Sequence, residues 1–499
     1  MISVTLFLLG WTPVVLLSIL AVLLRRSALE LAVYGFIYVA ALTALAFQTP
    51  WRVIGLATLD GVLTTLPLLA VVFLGILFSQ LLVISGSLER LVAWLLRGLA
   101  WPLARQVLIT LGLANFFEGA SIIAEPMVAP MLTFTGVAPA GAAALSIVGY
   151  AGLMSIEMAG IIITVLSLVT GLPFFALGVG SAWLSVPATL LMTLCLPFFL
   201  PEPREAWRRL PYLLGCGLLV SLATLAAAIW LGIAISGMVG GLILVGFLLW
   251  RGERRPAVPD QRLLADLAPF ALILLPLLLV NTIPWLQEAT RRQLTFTVTV
   301  IPSHPITFTP FFSAYLYLLI GLLAALKLLG ATRSQRRQVW RAGVGKGWRA
   351  LVAMGLFGAM GQVIAYSGYA ADFGQIYQDR NIPIILADGL KHFTGSLYPL
   401  FVPLLGWTGT FLTGYGVASL MLFGDLQVQA ASLLGVSATL LAAGLTVGSA
   451  IGSISSPFKI AIATPMCGAT GQEGAILRLT IPLGVLASLI LGLIVFLAA

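Results

Sequence analysis

Charge is scarce in this chain. Only 9% of its 499 residues are Asp, Glu, Lys or Arg, against 60% hydrophobic, and the mean hydropathy is +1.09. A soluble domain of this length needs a charged surface that such a sequence cannot supply. The composition therefore excludes a soluble globular protein and predicts an all-α polytopic membrane protein. Cysteine is scarcer still: Cys195, Cys216 and Cys467 lie in apolar segments, with the spacing of neither a disulfide framework nor a metal site. The two histidines, His304 and His392, are far apart and lack Cys partners. An intramembrane hydrolase needs an Asp pair, a Ser–His pair or a metal site at fixed spacing, so neither an enzyme nor a resident metal or cofactor is expected. There are four lysines, Lys327, Lys346, Lys391 and Lys459, so a lysine inside an apolar run stands out. The net charge of +9 is mostly arginine in short loops, which signals membrane orientation rather than nucleic-acid binding.

What is present is a series of apolar runs, read as about 12–15 membrane segments, with broken or re-entrant pieces near 119–135, 414–427 and 453–471. Ile2–Leu24 reads as a first spanning helix rather than a cleavable signal, being too long and having no basic residue before it. The basic clusters Arg25/Arg26, Arg90/Arg97/Arg105, Arg204/Arg208/Arg209, Arg251/Arg254/Arg255 and Arg333–Arg349 are expected on the cytoplasmic side. Leu88–Leu99 and Ile384–Phe393 are amphipathic and are expected along the interface. Thr290–Pro310 is Thr-rich, alternating and bounded by proline, the pattern of an outer hairpin or an extended loop.

Asn115–Gly171 holds Glu118, Glu125 and Glu157 within apolar sequence broken by Gly119, Pro126, Pro130, Gly136 and Pro139. Carboxylates and helix breakers are both costly in hydrocarbon, so together they predict a lined cavity. Thr413–Gly471 echoes this stretch. Gly136-Val137-Ala138 matches Gly435-Val436-Ser437, and Gly149 matches Gly448, at an offset of 299; Thr164 matches Thr464 and Thr170-Gly171 matches Thr470-Gly471 at 300. Upstream, Gln80 with Ser85-Gly86 matches Gln362 with Ser367-Gly368 at 282. Ordered matches of this kind predict a repeat. The charge rule sends the helix at 61–84 inward and its partner at 350–370 outward, so the repeat is expected to be inverted, a design of secondary transporters. The reading divides the chain into a first transmembrane repeat at 1–200, linking helices and cytoplasmic loops at 201–262, and a second, inverted repeat at 263–499.

FFEG (Phe116–Gly119), GWTGTFLTG (Gly406–Gly414), LFGDLQ (Leu422–Gln427), GVS (Gly435–Ser437), SPFKIAIAT (Ser456–Thr464) and GQEGAILRLT (Gly471–Thr480) resemble, in order, segments of the bacterial L-lactate permease family, which are lactate and glycolate–proton symporters. The resemblance covers most of the chain from about residue 60 onward and implies proton-coupled symport of a small organic anion, a lactate-like monocarboxylate, across the inner membrane. Three departures fall in the expected core. The family's Gly-Phe-Gly-Thr-Pro is Ile122-Ile123-Ala124-Glu125-Pro126; its Ser-Asp-Thr-Ser-Ser-Asn is Tyr415-Gly416-Val417-Ala418-Ser419-Leu420; and its Ser-Pro-Gln-Ser is Ser456-Pro457-Phe458-Lys459. The fold carries over; the identity of the cargo does not follow with it. Another carboxylate or a sulfonate, sodium in place of the proton, and a channel remain open readings, and a homo-oligomer is compatible with all of them.

A small anion that must leave again needs donors without full counter-charge, which broken-helix N-termini, glycine backbone and hydroxyls supply. The candidates are Asn115, Gly119, Ala120 and Ser121 in the first break, Thr413, Gly414, Tyr415 and Ser419 in the second, and Ser453, Ser455 and Ser456 in the last; for the hydroxyls, back-bonding to helix carbonyls is the competing role. Glu118, beside a glycine at a break, can exchange a proton near neutral pH, or simply cap the broken helix. Asp425 is a partner for it or a cap. Glu157 and Lys459 fall at near-equivalent places in the two halves, and either pair at the midplane or leave Lys459 for the anion. Glu125 is expected at a tip reached by water, and Asp372, Asp379, Asp388, Lys391 and Glu473 in solvated loops.

Overall fold

The computed structural model describes residues 4–20, 24, 26–252 and 260–499. Arg25, Arg254 and Arg255 of the basic clusters lie outside the described residues. Among those described, nine helices are long and apolar enough to cross a membrane, or ten if the bent pair Pro139–Ala151 and Met154–Thr170 counts as one span. Three shorter apolar helices, Val4–Ser18, Leu29–Leu45 and Ala314–Leu328, add to them. The chain is thus a polytopic helical protein with broken helices. Full spans are fewer than the apolar runs because several runs fold as short helices meeting at breaks.

Two helices of nearly equal length form the frame, Trp51–Ile84 with 34 residues and Arg333–Ala365 with 33. The second starts at a capping box in which Thr332 accepts from the Gln335 backbone and the Gln335 side chain accepts from the Thr332 N–H. The two helices touch at Gly61 and Gly358, where a β-carbon on either would strike the other's backbone. Small residues of this kind let helices in a membrane approach closely. Past their ends the matched glycines Gly86 and Gly368 are left-handed, at φ 68° and 72°. The amphipathic helices Ser87–Leu96 and Ile382–Thr394 then form where their periodicity predicts. Arg90, on the first of these, donates to both oxygens of buried Asp266 at 2.7 and 2.6 Å, so a residue read as an orientation marker is also a structural clamp.

Four breaks interrupt the inner helices. Ala114–Gly119 stops before Ser121, whose φ is 62°, and the chain resumes as Glu125–Phe134 with Pro126 in its first turn. Pro139–Ala151 gives way to short 3-10 turns, with Glu157 extended between them and Met158, Ala159 and Gly160 all left-handed, before Ile161–Thr170; the axis bends by 59°. Left-handed backbone at Met158 and Ala159 costs on the order of 1–3 kcal/mol each, strain of the kind that clusters at functional sites. Tyr398–Thr413 turns into Gly416–Leu434 through Gly414, at φ 85°. Ala438–Gly452 passes through Ser453–Ser455 into Pro457–Cys467, where Ser456 accepts from the Lys459 N–H and Pro457 takes the first helical position. The second and fourth breaks touch. Ser453 Oγ lies 2.9 Å from Met154 Sδ, and the two positions are separated by the 299-residue offset of the sequence echo.

The Thr-rich stretch forms an antiparallel hairpin, Phe296–Ile301 with His304–Phe308, closed by a 3.0 Å Thr297–Thr307 hydroxyl bond and stacked Phe296 and Phe308 rings. His304 fixes it to the bundle. One ring nitrogen is 2.8 Å from Asp60 Oδ2 on helix 51–84, and the other 2.9 Å from the Leu168 carbonyl near the end of helix 161–170.

Candidate functional site

The breaks after Glu118 and Thr413 and the turns around Met154 and Ser456 converge on a cavity of about 340 Å³. Glu118, Glu125, Tyr415 and Lys459 line it, with Ser79 and Gln80 of helix 51–84 and otherwise mainly apolar side chains. Lys459 sits in the first turn after the fourth break. Its ammonium donates to the Tyr150 hydroxyl at 2.6 Å and stands 4.7 Å from the centre of that ring, 3.6 Å from Glu125 Oε1 and 3.4 Å from Met154 Sδ. Tyr150 in turn donates to Glu125 Oε1 at 2.6 Å, giving a chain from ammonium to phenol to carboxyl. Glu118 Oε1 accepts the Ala124 N–H at 2.8 Å, bridging the first break. The Tyr415 ring lies against Phe458 at 4.7 Å, and its hydroxyl has no hydrogen-bond partner among the described residues.

Glu157 stands behind the wall, fully buried against Gly237, with neither oxygen hydrogen-bonded to a described residue. It is near enough to feel the charges of Glu118, Lys459 and Glu125. One ammonium among three buried carboxyls is balanced in charge only when two of the carboxyls hold protons. Among the described residues no group of three His, Cys, Asp or Glu could hold a metal.

The expected Glu157–Lys459 pair does not form. Lys459 pairs with Glu125 instead, with Tyr150 and Met154 against its ammonium, while Glu157 lies outside the cavity lining against Gly237. Glu125, expected at a tip reached by water, is 2% exposed within that pair. Of the polar candidates, several are occupied structurally. Asn115 donates to the Leu111 and Gly149 carbonyls, Ser419 to Gly406, and Thr413 to Gly409 and Tyr415. Ser455 links Trp407 to the Thr480 carbonyl, and Ser456 caps its helix. Gly119 packs on the backbone of Gly237 and Met238, and Gly414 faces Phe458. Ser121 Oγ is buried and has no partner among the described residues. Asp425 lies six helical residues beyond Ser419 and does not line the cavity. Sequence reasoning missed Tyr150; its one signal was that it is the lone aromatic of its helix and follows the matched Gly149.

The family model for L-lactate permease matches residues 6–256 and 261–499. The chain belongs to the L-lactate permease family. It is a multi-pass protein of the bacterial plasma membrane. Among curated relatives, the glycolate permease GlcA of Escherichia coli (strain K12) is 34% identical over 149 residues, 30% of this chain and 24% of that protein. The L-lactate permease of the same strain is 39% identical over 132 residues, 26% of this chain and 24% of the relative. The L-lactate permease of Halalkalibacterium halodurans is 40% identical over 88 residues, 18% and 17% of the two chains. The matched stretches thus span a quarter or less of the relatives' length. Of solved structures, Neisseria gonorrhoeae MtrF, described as illuminating a class of antimetabolite efflux pumps, aligns over 91% of this chain and 83% of its own at 14% identity, with a TM-score of 0.39. Within this family member, two of the core departures, Glu125 and Lys459, are the residues that meet at 3.6 Å.

Proposed function

We propose that the protein is a secondary active carrier that moves a small organic anion, a monocarboxylate, together with a proton. The observation that carries this reading is Lys459, the one cation lining the cavity among the described residues, held by a tyrosine and a carboxyl that can give it up. An incoming carboxylate competes with Glu125 for the Lys459 ammonium, and a proton taken up on Glu118 offsets the charge it brings. The site then gains one anion and one proton together, so its net charge is unchanged by loading. That matters because uncompensated charge is expensive at this depth. Glu118, which lines the same cavity and is tied to the break by the Ala124 N–H, is the proton holder of the coupling, and Glu157 is a reserve carboxyl behind the wall.

The inverted-repeat division supports alternating access. The broken helices would move against the frame of helices 51–84 and 333–365, as in other carriers of this design, an argument by analogy for an elevator-like step. The family's relatives carry the names of permeases, which favours a carrier over an enzyme. The test is uptake of labelled monocarboxylates into proteoliposomes under an imposed pH gradient or an imposed sodium gradient, with counterflow as the control. Saturable counterflow and accumulation driven by the pH gradient support the reading. Accumulation driven by sodium alone would replace the coupling ion, and flux without counterflow would replace the carrier by a channel.

A further inference from the structure

The cavity is more apolar than a hydroxy-acid site needs. Its polar head holds Lys459, the carboxyls of Glu118 and Glu125, and the Tyr415 hydroxyl, which is buried and has no hydrogen-bond partner among the described residues. Before Ser79 and Gln80, helix 51–84 contributes Leu68, Val72 and Ile76 to the wall, Leu68 beside Tyr415. These are four residues apart and so form one stripe. Between Leu68 and Gln80 the lining rises about 18 Å, at ~1.5 Å per residue. A volume of about 340 Å³, where about 10–15 Å³ on the same measure holds one water, is more than a lactate-sized acid at the head fills. A second apolar groove of about 460 Å³ adjoins the cavity: Pro126 and Met466 line both, and Phe134, which is 74% exposed, also lines the groove. Walls of this kind give a small hydrated anion no hydrogen bonds in return for the water it loses, but they favour an alkyl or aryl chain.

We propose that the cargo is a monocarboxylate bearing an apolar chain, its carboxylate on Lys459 and Tyr415 and its chain along the Leu68–Val72–Ile76 stripe. This rests on the carrier reading above and names its substrate class. Equilibrium dialysis of labelled acetate, butanoate and hexanoate against the full chain in nanodiscs, with empty nanodiscs subtracted, tests it. The Kd is expected to fall about three- to fourfold for each methylene buried, so hexanoate binds well over tenfold tighter than acetate. Ile76→Trp, or Ile76→Phe should the tryptophan variant not fold, brings the hexanoate-to-acetate ratio toward one. A Kd that is flat or rises with chain length overturns the apolar-chain cargo while leaving a carboxylate site in place. Failure of every acid to bind, at any length, overturns this inference and the carrier reading together.

Discussion

The ammonium of Lys459 and the hydroxyl of Tyr150, 309 residues apart in sequence, form a 2.6 Å hydrogen bond inside the cavity. It joins the helix after the fourth break to the helix before the second, so the polar head of the site is built from segments far apart in sequence.

If that ammonium receives the anion, its loss is felt at the head and not in the fold alone. Lys459→Met should raise the Kd for a monocarboxylate at least about tenfold, the scale of a lost charge-assisted hydrogen bond. Tyr150→Phe keeps the ring under the ammonium and should cost less, roughly three- to tenfold. Lys459→Arg should recover part of the loss. Equilibrium binding to purified protein measures all three, and equal Kd values for Lys459→Met and the parent chain would remove Lys459 from the site.

The Glu125–Lys459 pair carries a stability prediction of its own. Removing one partner of a buried pair leaves an uncompensated charge, at a cost of about 3–5 kcal/mol. Glu125→Thr and Lys459→Ser, the residue types the family tends to have at these places, should each destabilise the protein. The double variant should lie closer to the parent than either single one does. A double-mutant cycle on unfolding midpoints reads the coupling directly, and additive losses would mean that the two side chains act independently.

Gly119 separates packing from binding. A β-carbon there would stand 2.7 Å from the Gly237 carbonyl carbon and 3.0 Å from Met238 Cα. Gly119→Ala should cost roughly 1–3 kcal/mol of stability through overpacking, with an unchanged Kd in the protein that does fold. A weakened Kd at undiminished stability would return Gly119 to the binding site.

Much of this was legible in the sequence, and the reason differs from part to part. The breaks are written in Gly414, Pro457 and the Gly- and Pro-rich run after Glu118, because these residues limit the backbone wherever they stand. The alternation of Thr297, Thr299 and Thr307 left a hairpin and an extended loop both open, and the structure forms the hairpin. The partner of Lys459 was not legible. Glu125 and Glu157 are both buried carboxyls at a break, and no periodicity announces which one faces the lysine. The hydroxyls of Thr413 and Ser455 looked available because a sequence does not say which carbonyl lies within reach; here Gly409 and Thr480 do. His304 gave no sign of Asp60, 244 residues away.

That histidine makes stability depend on pH. Burial disfavours its charged form, but the Asp60 hydrogen bond and charge, with the Leu168 carbonyl, outweigh burial and hold its pKa above the ordinary 6.5. A raised folded value stabilises the protein fully below the unfolded pKa, and the contribution fades as pH rises through the folded value. The unfolding midpoint should therefore fall as pH is raised upward from about 6.5, and His304→Gln should flatten that slope. Thermal unfolding across this range checks it; an equal slope in the variant would place the pH dependence elsewhere.

Coupling at Glu118 is the centre of the account, and it is tested most directly by comparing two fluxes in one variant. In proteoliposomes of Glu118→Gln, counterflow of a labelled monocarboxylate should persist, because loading and exchange do not require this proton to be released. Accumulation driven by an imposed pH gradient should drop toward the level seen without a gradient. Gradient-driven accumulation equal to that of the parent chain would contradict the assignment of Glu118 as a proton holder.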